Sequence, residues 1–242
     1  MTIIEAGEKS FQELNREIRA CPDRDITVTG CAGQRYLADG LSGRSIRVEG
    51  IPGNALCAYL DNCRVEVMGN AQDATGDTMN AGEIIIHGSS GDATGYAMRG
   101  GVILVEKNVG YRAGIHMKAY EEQTPVLVVG GEAGSFLGEY QAGGLIVVLG
   151  LRTKDRAPVG DFCAAGMYGG KLFLRTQAAL PVDLPAQVTS RRAEESDFAE
   201  IAPYVRAYCG AFGGNAKALL GDAYAVIEPV SANPYRKMYV AD

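Results

Sequence analysis

The sequence lacks the residue patterns of several common functional classes. It has two histidines in 242 residues and six cysteines without a C-x-x-C pair, so a metal site is not expected. Its net charge is −6 and no Lys/Arg cluster exceeds Arg191–Arg192, which argues against nucleic acid or an anionic membrane as a partner. No apolar run approaches the roughly 18 residues of a membrane-spanning helix, and no signal-peptide pattern is present. We therefore expect a cytoplasmic chain with reduced thiols.

Glycine is abundant, at 32 residues, and a repeat explains its abundance. Positions 19 residues apart carry the same residue type: Gly69 and Gly88; Gly76, Gly95 and Gly114; Met79, Met98 and Met117; Gly82 and Gly101. A fixed period near 20 residues is typical of a stacked solenoid. Within each unit a short β-rich run is followed by a glycine-punctuated loop with no room for a helix. The sequence therefore predicts an all-β fold, a right-handed parallel β-helix.

The repeat divides the chain into about eight coils and two flanking segments. The coils begin near residues 25, 45, 64, 83, 102, 126, 145 and 171, with insertions at 118–124 and 151–159. We predict the β-helix at 25–176, right-handed because crossovers between parallel strands nearly always are. Residues 1–24 are predicted to form an N-terminal capping helix, with Ser10 and Glu13 as a capping box. Residues 177–242, which include Pro181 and a helical pattern from Ile201 to Phe212, are predicted to form a C-terminal α/β cap.

Alternation along the predicted strands indicates which side chains point inward. One ladder consists of Ile26, Ile46, Val65, Ile84, Ile103, Leu127, Ile146 and Leu172. A second consists of Val28, Val48, Val67, Ile86, Val105, Val129, Val148 and Leu174. A third consists of Leu60, Met79, Met98, Met117, Gln141 and Met167. The tight corner is predicted to hold small residues, because the backbone there needs positive φ or close approach. These are Cys57, Gly76, Gly95, Gly114, Gly138 and Ala164.

The outward positions between the first two ladders change from polar to apolar residues along the predicted axis. The first three, Thr27, Arg47 and Glu66, are polar. The next five are apolar and are named the outer strip. They are Ile85, Leu104, Val128, Val147 and Phe173. Because each such side chain gains about 1.5–3 kcal/mol on burial, the outer strip is predicted to be a covered face. Its cover is either the chain's own C-terminal segment or a partner subunit, and both can share it. The strip is the candidate partner interface.

Two features suggest a ligand site but are better explained otherwise. The run Gly131-x-x-Gly134-x-x-x-Gly138 follows a strand, as a phosphate-binding loop does, yet no helix pattern begins in it. His87 is predicted to close a strand on its outward side, and His116 lies beside the third ladder. Neither histidine has an acidic partner at a ligand spacing. We therefore predict no cofactor-binding and no metal-binding residues.

The remaining reactive side chains also have structural explanations. Cys57 and Cys63 occupy positions where other coils have glycine, so packing explains them. Asp73, Asp92 and Asp161 recur at a turn after glycine or near it, where Asx turns are common. No nucleophile with an adjacent base is evident. We therefore predict no catalytic residues.

Three segments carry a specific resemblance. They are GYRAGIHM at 110–117, PVLVVGGEAGSFLGEYQAGGLIVVLGL at 125–151 and GMYGGKLFLR at 166–175, and the tail PVSANPYRKMYV at 229–240 is similar too. They resemble the GXGXG domain that closes the large (alpha) subunit of glutamate synthase, in the form that is a free-standing subunit. The resemblance implies a β-helical scaffold beside a glutamine amidotransferase subunit and a synthase subunit that carries FMN and an iron–sulfur cluster. It implies no cofactor on this chain and no catalytic residues to carry over.

Three functions remain open at this point. The first is a non-catalytic scaffold of a glutamate-synthase-type oxidoreductase, which holds glutaminase and synthase units in register so that ammonia does not escape. The second is the similar β-helical C subunit of formylmethanofuran dehydrogenase or of a formyltransferase/hydrolase complex. The third is a stand-alone enzyme that uses a groove beside the outer strip. Homo-oligomer formation is possible in each.

Overall fold

The structure is a computed structural model that describes residues 1–178 and 184–230. Its strands are β1 (Thr2–Glu5), β2 (Asp25–Ala32), β3 (Ser45–Ile51), β4 (Cys63–Val67), β5 (Gly82–Ile86), β6 (Val102–Val105), β7 (Val126–Val129), β8 (Ala142–Val148), β9 (Gly169–Arg175), β10 (Val188–Arg192) and β11 (Tyr224–Pro229). Its helices are α1 (Phe11–Ala20), α2 (Glu195–Phe212) and α3 (Ala216–Leu220). Pro181 and the tail from residue 231 onward lie outside the described residues, so the predictions that involve them stay predictions.

All of these strands belong to one sheet. Its order is β1-β2-β3-β4-β5-β6-β7-β8-β9-β11-β10, and β1 to β9 run parallel. β11 is antiparallel to both β9 and β10. The predicted all-β, right-handed parallel β-helix is therefore wrong. The described chain forms a single 11-stranded, mostly parallel sheet, and the 18-residue helix α2 makes the fold α/β-like.

The return segments explain why the prediction failed. The return segments form no further sheet, because outside the 11 named strands the described chain has only isolated β-bridges. In each return loop alternate residues have positive φ, as at Ala74 (56°), Gly76 (73°) and Thr78 (50°). A strand needs negative φ throughout. The 19-residue period therefore reports the strand spacing correctly but not the conformation between strands.

The return loops stack on one another and form a second layer, named the loop layer. It comprises the loops around residues 36–40, 55–59, 74–78, 93–97, 112–116, 136–140 and 162–166. The middle residue of each loop after the first donates its N–H to the preceding loop, as Gly95 does to Thr75 O and Gly114 to Thr94 O, both at 2.8 Å. All six predicted corner residues, Cys57 to Ala164, have positive φ between 59° and 73°. The predicted corner is therefore confirmed, with backbone hydrogen bonds that join each loop to the next.

The predicted inward ladders are confirmed. The register pairs Ile26 with Ile46 and continues strand by strand to Leu172, and it pairs Val28 with Val48 in the same way. All members of these two ladders and the methionines of the third are buried in one hydrophobic core between the sheet and the loop layer. Gln141, the polar member of the third ladder, is also fully buried. The core therefore runs the length of the parallel sheet.

Helix α1 closes one end of this core. The predicted capping box is present: Glu13 N donates to Ser10 Oγ at 3.3 Å, and Ser10 N donates to Glu13 Oε2 at 2.9 Å. Leu14 and Ile18 are fully buried in the core. The domain division at residues 24 and 176 stays a prediction, because these contacts do not show whether the segments fold separately.

Asn15 attaches α1 to the first return loop, which the sequence pattern did not indicate. Its Nδ2 donates to Tyr36 O at 2.7 Å, and its Oδ1 accepts from Ala38 N at 2.9 Å. Tyr36 and Ala38 have positive φ, so their peptide groups are turned toward the helix. The buried amide thus satisfies backbone groups that have no neighbouring loop on that side.

Candidate functional site

The outer strip lies beneath α2. Its five side chains are at most 1% exposed. Ile201, Val205 and Tyr208 of α2 pack against it in a second hydrophobic cluster, on the opposite side of the sheet from the core. Of the two covers considered, the chain's own C-terminal segment thus lies on the strip. A partner subunit would contact this side of the molecule through the outer surface of α2, and the strip as a partner interface stays a prediction.

Tyr208 anchors the C-terminal half of α2 to the sheet. Its hydroxyl donates to Glu106 O at 2.9 Å, and burial raises its pKa well above the usual value. A methyl group at Gly130 would lie 1.8 Å from Tyr208 Oη, so the phenol fits only against glycine. The sequence predicted Tyr208 as a packing residue of the helix, but its polar contact was not foreseen.

Asp197 anchors the N-terminal end of α2 through a buried ion-pair network. Its carboxylate lies 2.5 Å from Arg191 Nη1 and 3.5 Å from Lys171 Nζ, although the side chain is 1% exposed. Arg191 also pairs with Glu228 at 2.8 Å. The hydrogen bond from Arg191 holds the pKa of Asp197 at about 2. The network joins β9, β10 and β11 to α2. Arg191 and Asp197 are six residues apart, but Lys171 and Glu228 are distant from them in sequence, and no motif in the sequence indicated the network.

The polar half of the outer sheet face begins where α2 ends. His87 Nε2 lies 2.8 Å from Glu66 Oε1, and the His87 ring meets the ring of Phe212 edge-on, with 5.1 Å between centroids. His87 was predicted to close a strand without an acidic partner at ligand spacing. The structure gives it one carboxylate, across neighbouring strands, and no second ligand group among the described residues. This pair marks the boundary between covered and open parts of the face.

Exposed aromatic side chains concentrate on the loop layer. Phe136 and Phe162 stack with centroids 4.9 Å apart, and the guanidinium of Arg112 lies 4.9 Å from the Phe136 centroid. In a parallel row, His116 stacks on Tyr140 at 5.3 Å. Phe162 is 55% exposed and Tyr140 is 43% exposed. Sequence reasoning missed these two rows, although the four-residue spacing within each loop, as in Phe136 and Tyr140, was visible.

The aspartates of the turns bond between loops. Asp92 N donates to Asp73 Oδ1 at 2.9 Å, and Tyr111 N donates to Asp92 Oδ1 at 2.8 Å. The Asx-turn interpretation is therefore wrong for these two carboxylates, because each accepts from the following loop. Asp161 instead donates its own N–H to Ser135 Oγ at 3.1 Å. Glycine precedes each donating residue, Gly91 before Asp92 and Gly110 before Tyr111, and a methyl group at Gly91 would lie 2.1 Å from Asp73 Oδ1.

Burial disfavours the thiolate form of several described cysteines. Cys57 and Cys163 are buried, and burial raises the pKa of both thiols, that of Cys163 to about 12. Burial also raises the pKa of Cys31 to about 11. Across residues 1–178 and 184–230, no group of three or more His, Cys, Asp and Glu is placed to hold a metal ion. No helix in the same ranges is long and apolar enough to cross a bilayer.

Comparison with known proteins gives one family match. The model of the GXGXG motif family matches residues 5–229. An uncharacterized protein of Methanocaldococcus jannaschii is 40% identical over 99% of this chain and 97% of its own length. Ferredoxin-dependent glutamate synthase 2 of Synechocystis is 29% identical over 66% of this chain, which corresponds to 10% of that protein.

A solved structure shares the fold. It is the formyltransferase/hydrolase complex of Methylorubrum extorquens with methylofuran, one chain of which superposes with a TM-score of 0.60. The match covers 84% of this chain and 73% of that chain, at 22% identity. At this identity the likeness concerns the fold alone.

Proposed function

Because the chain belongs to the GXGXG motif family, we propose that it is a non-catalytic scaffold subunit of a glutamate-synthase-type complex. It would hold a glutamine amidotransferase subunit and a synthase subunit together. The observation that carries the proposal is the similarity to ferredoxin-dependent glutamate synthase over 66% of this chain. In that relative the matching part is 10% of the protein, and the other residues lie outside the match. In the proposed complex, separate chains would supply the amidotransferase and synthase parts.

The proposal places FMN and the iron–sulfur cluster on the synthase partner. No group of three or more His, Cys, Asp and Glu among residues 1–178 and 184–230 is placed to hold a metal ion, which supports this assignment for the cluster. The contribution of this chain would be geometric: a rigid body, built from one sheet and hydrogen-bonded loops, that positions two active sites. The outer surface of α2 and the loop layer are the two long faces available for this.

Co-purification tests the proposal. The full chain, tagged and expressed in its own host, should elute with an amidotransferase and a flavoprotein in fixed stoichiometry, identified by mass spectrometry and by the flavin absorbance. The same chain purified alone should hydrolyse no glutamine and carry no flavin. Elution of the chain alone, from extracts in which both enzymes are detected, would contradict the proposal.

A second candidate is a subunit of a formyl-transfer complex, and the shared fold with a chain of the formyltransferase/hydrolase complex favours it. The same experiment separates the two. Formyltransferase and hydrolase chains in the eluate, without flavoprotein, would support the second candidate and exclude the first. Flavin absorbance that co-elutes with glutaminase activity would do the opposite.

A further inference from the structure

An open cavity of about 470 Å³ lies beside the starts of four consecutive strands, β2 to β5. It reaches β5, the first strand of the outer strip, but none of its lining residues belongs to the strip, and none of the functions considered above uses it. Its wall contains three arginines, one from the start of each of three successive strands. They are Arg24, Arg44 and Arg64. Two carboxylates, those of Asp25 and Glu83, complete the charged lining, which is therefore net positive in a chain whose net charge is −6.

The strand register explains why the cavity exists. Cys63 pairs with Gly82, and Arg44 and Arg24 occupy the equivalent position one and two strands earlier. Two long side chains are thus followed by two small residues in the same column. The arginines line the cavity together with these small residues, and Ser45 and Asn62 also contribute to its wall.

The arginines are held in place without all being neutralised. Arg44 donates to two backbone carbonyls, from Nη1 to Asp23 O at 2.5 Å and from Nη2 to Arg19 O at 3.4 Å. A carbonyl orients a guanidinium but leaves its full charge. Arg64 forms an ion pair with Glu83. The Arg24 side chain has no hydrogen-bond or ion-pair partner within residues 1–178 and 184–230, although the Arg24 backbone carbonyl accepts from Ser45 N at 3.0 Å.

Arg24 and Arg44 line the cavity in the same strand-start column as Cys63. Burial and the negative charge of Asp61 raise the pKa of Cys63, while a hydrogen bond from Arg44 N and the positive charges of Arg44 and Arg24 oppose the increase. Both guanidinium groups therefore act on the same thiol. Two uncompensated guanidinium groups around one recess, with a hydroxyl and an amide beside them, match the donors that an oxyanion requires.

We propose that this cavity is a binding site for a small oxyanion, a phosphate or carboxylate group held between Arg24 and Arg44. The donors determine the class of ligand. The planar N–H pairs of a guanidinium group suit both phosphate and carboxylate, and the carboxylates of the lining disfavour a larger polyanion. The site is independent of the proposed scaffold role, since it lies on this chain alone.

Isothermal titration calorimetry on the full purified chain at low ionic strength tests the site, with inorganic phosphate and succinate as probes. Saturable binding of phosphate alone would identify a phosphoryl ligand, and tighter binding of succinate would identify a carboxylate ligand. Arg24→Gln should weaken the preferred anion at least tenfold, the effect of one lost charge-assisted contact. Asp25→Asn should tighten it, because it removes a negative charge from the lining.

Arg47→Gln is the matched control, since Arg47 lies within β3, outside the cavity, and pairs with Glu49. Its affinity should equal that of the wild type. Arg24→Lys retains the charge and provides a second variant if Arg24→Gln melts early. Absence of saturation by both probes at millimolar concentration, or equal weakening by Arg24→Gln and Arg47→Gln, would overturn the proposal.

Discussion

At the scale of single residues, two buried tyrosines in the hydrophobic cluster between α2 and the sheet differ in one hydrogen bond. Tyr208 donates to Glu106 O, whereas the Tyr224 hydroxyl is buried without a partner among the described residues. We expect Tyr224→Phe to raise the free energy of unfolding by about 1 kcal/mol, because an unsatisfied buried hydroxyl is removed. Tyr208→Phe should lower the free energy of unfolding by about 1 kcal/mol, because the hydrogen bond from the Tyr208 hydroxyl to Glu106 O is lost. Urea unfolding of both variants measures this, and equal shifts of the same sign would contradict the assignment.

The ionisation of Asp197 should make the free energy of unfolding depend on pH in the acid range. Its pKa in the folded protein is about 2, below the value of about 3.9 in an unfolded chain. The stabilisation is therefore fully present above about pH 4 and is lost as the pH falls through about 2, a change on the order of 2 kcal/mol. Asp197→Asn removes this titration. Unfolding free energies measured across this range should converge for the two proteins as the pH falls, and parallel profiles would exclude the role.

Residue-level prediction from sequence succeeded where a period existed. The inward ladders and the positive-φ corner follow from the 19-residue spacing, and both are present. The polar anchors Asn15, Asp197 and Tyr208 were missed. Asn15 and Tyr208 each depend on a partner brought close only by the tertiary fold, such as Tyr208 with Glu106 O, 102 residues away. Asp197 has Arg191 six residues away, but its contact with Lys171 also requires the tertiary fold. A single sequence has no local pattern for such long-range contacts.

At the scale of elements, the attachment of α2 should depend on its inner face. Ile201 is fully buried against the outer strip, whereas Arg206 on the same helix is exposed. Ile201→Ala should lower the free energy of unfolding by about 2–5 kcal/mol through cavity formation. Arg206→Ala should change it by less than about 0.5 kcal/mol. Thermal unfolding of the two variants compares them, and an unaltered Ile201→Ala protein would mean that α2 does not hold the sheet.

Two glycines should respond in opposite ways to alanine. A methyl group at Gly91 would lie 2.1 Å from Asp73 Oδ1 and 2.9 Å from Asp73 N, so Gly91→Ala should break the contact between neighbouring loops and cost more than about 1 kcal/mol. Gly210 lies within α2 with no atom within 4 Å of the added methyl group. Gly210→Ala should therefore stabilise the helix by up to about 1 kcal/mol. Denaturation midpoints provide the test, and stabilisation by Gly91→Ala would refute the loop contact.

Element-level prediction was partly right. The strands, α1 with its capping box and the α2 pattern are present, but the closed β-helix is not. Hydrophobic alternation reports strands, whereas the return segments alternate positive and negative φ with Ala, Thr, Tyr and Phe at positive values. Those residue types rarely adopt positive φ. Their conformation is imposed by hydrogen bonds from adjacent loops, and so could not be inferred from composition.

At the scale of the whole molecule, the free energy of unfolding should be close to the sum of contributions from the individual repeats and from the contacts between neighbouring repeats. Deletion of residues 64–82 removes one strand with its loop and rejoins Cys63 to Glu83 in the original register. We expect this variant to fold, with a circular dichroism spectrum of the same shape. A deletion of roughly half that length shifts the register of every later strand and should abolish cooperative unfolding. Equal behaviour of the two deletions would argue against repeat-wise assembly.

The antiparallel β11 between β9 and β10 has a consequence for how such a chain can change its length. Since the last parallel strand is already paired on its far side, a duplicated unit cannot be appended there. It can be accommodated only by insertion among the internal strands, ahead of that closing pair. Natural variants of this architecture should therefore differ in length by whole multiples of one repeat unit, inserted among the internal strands, while the closing pair β11 and β10 is kept.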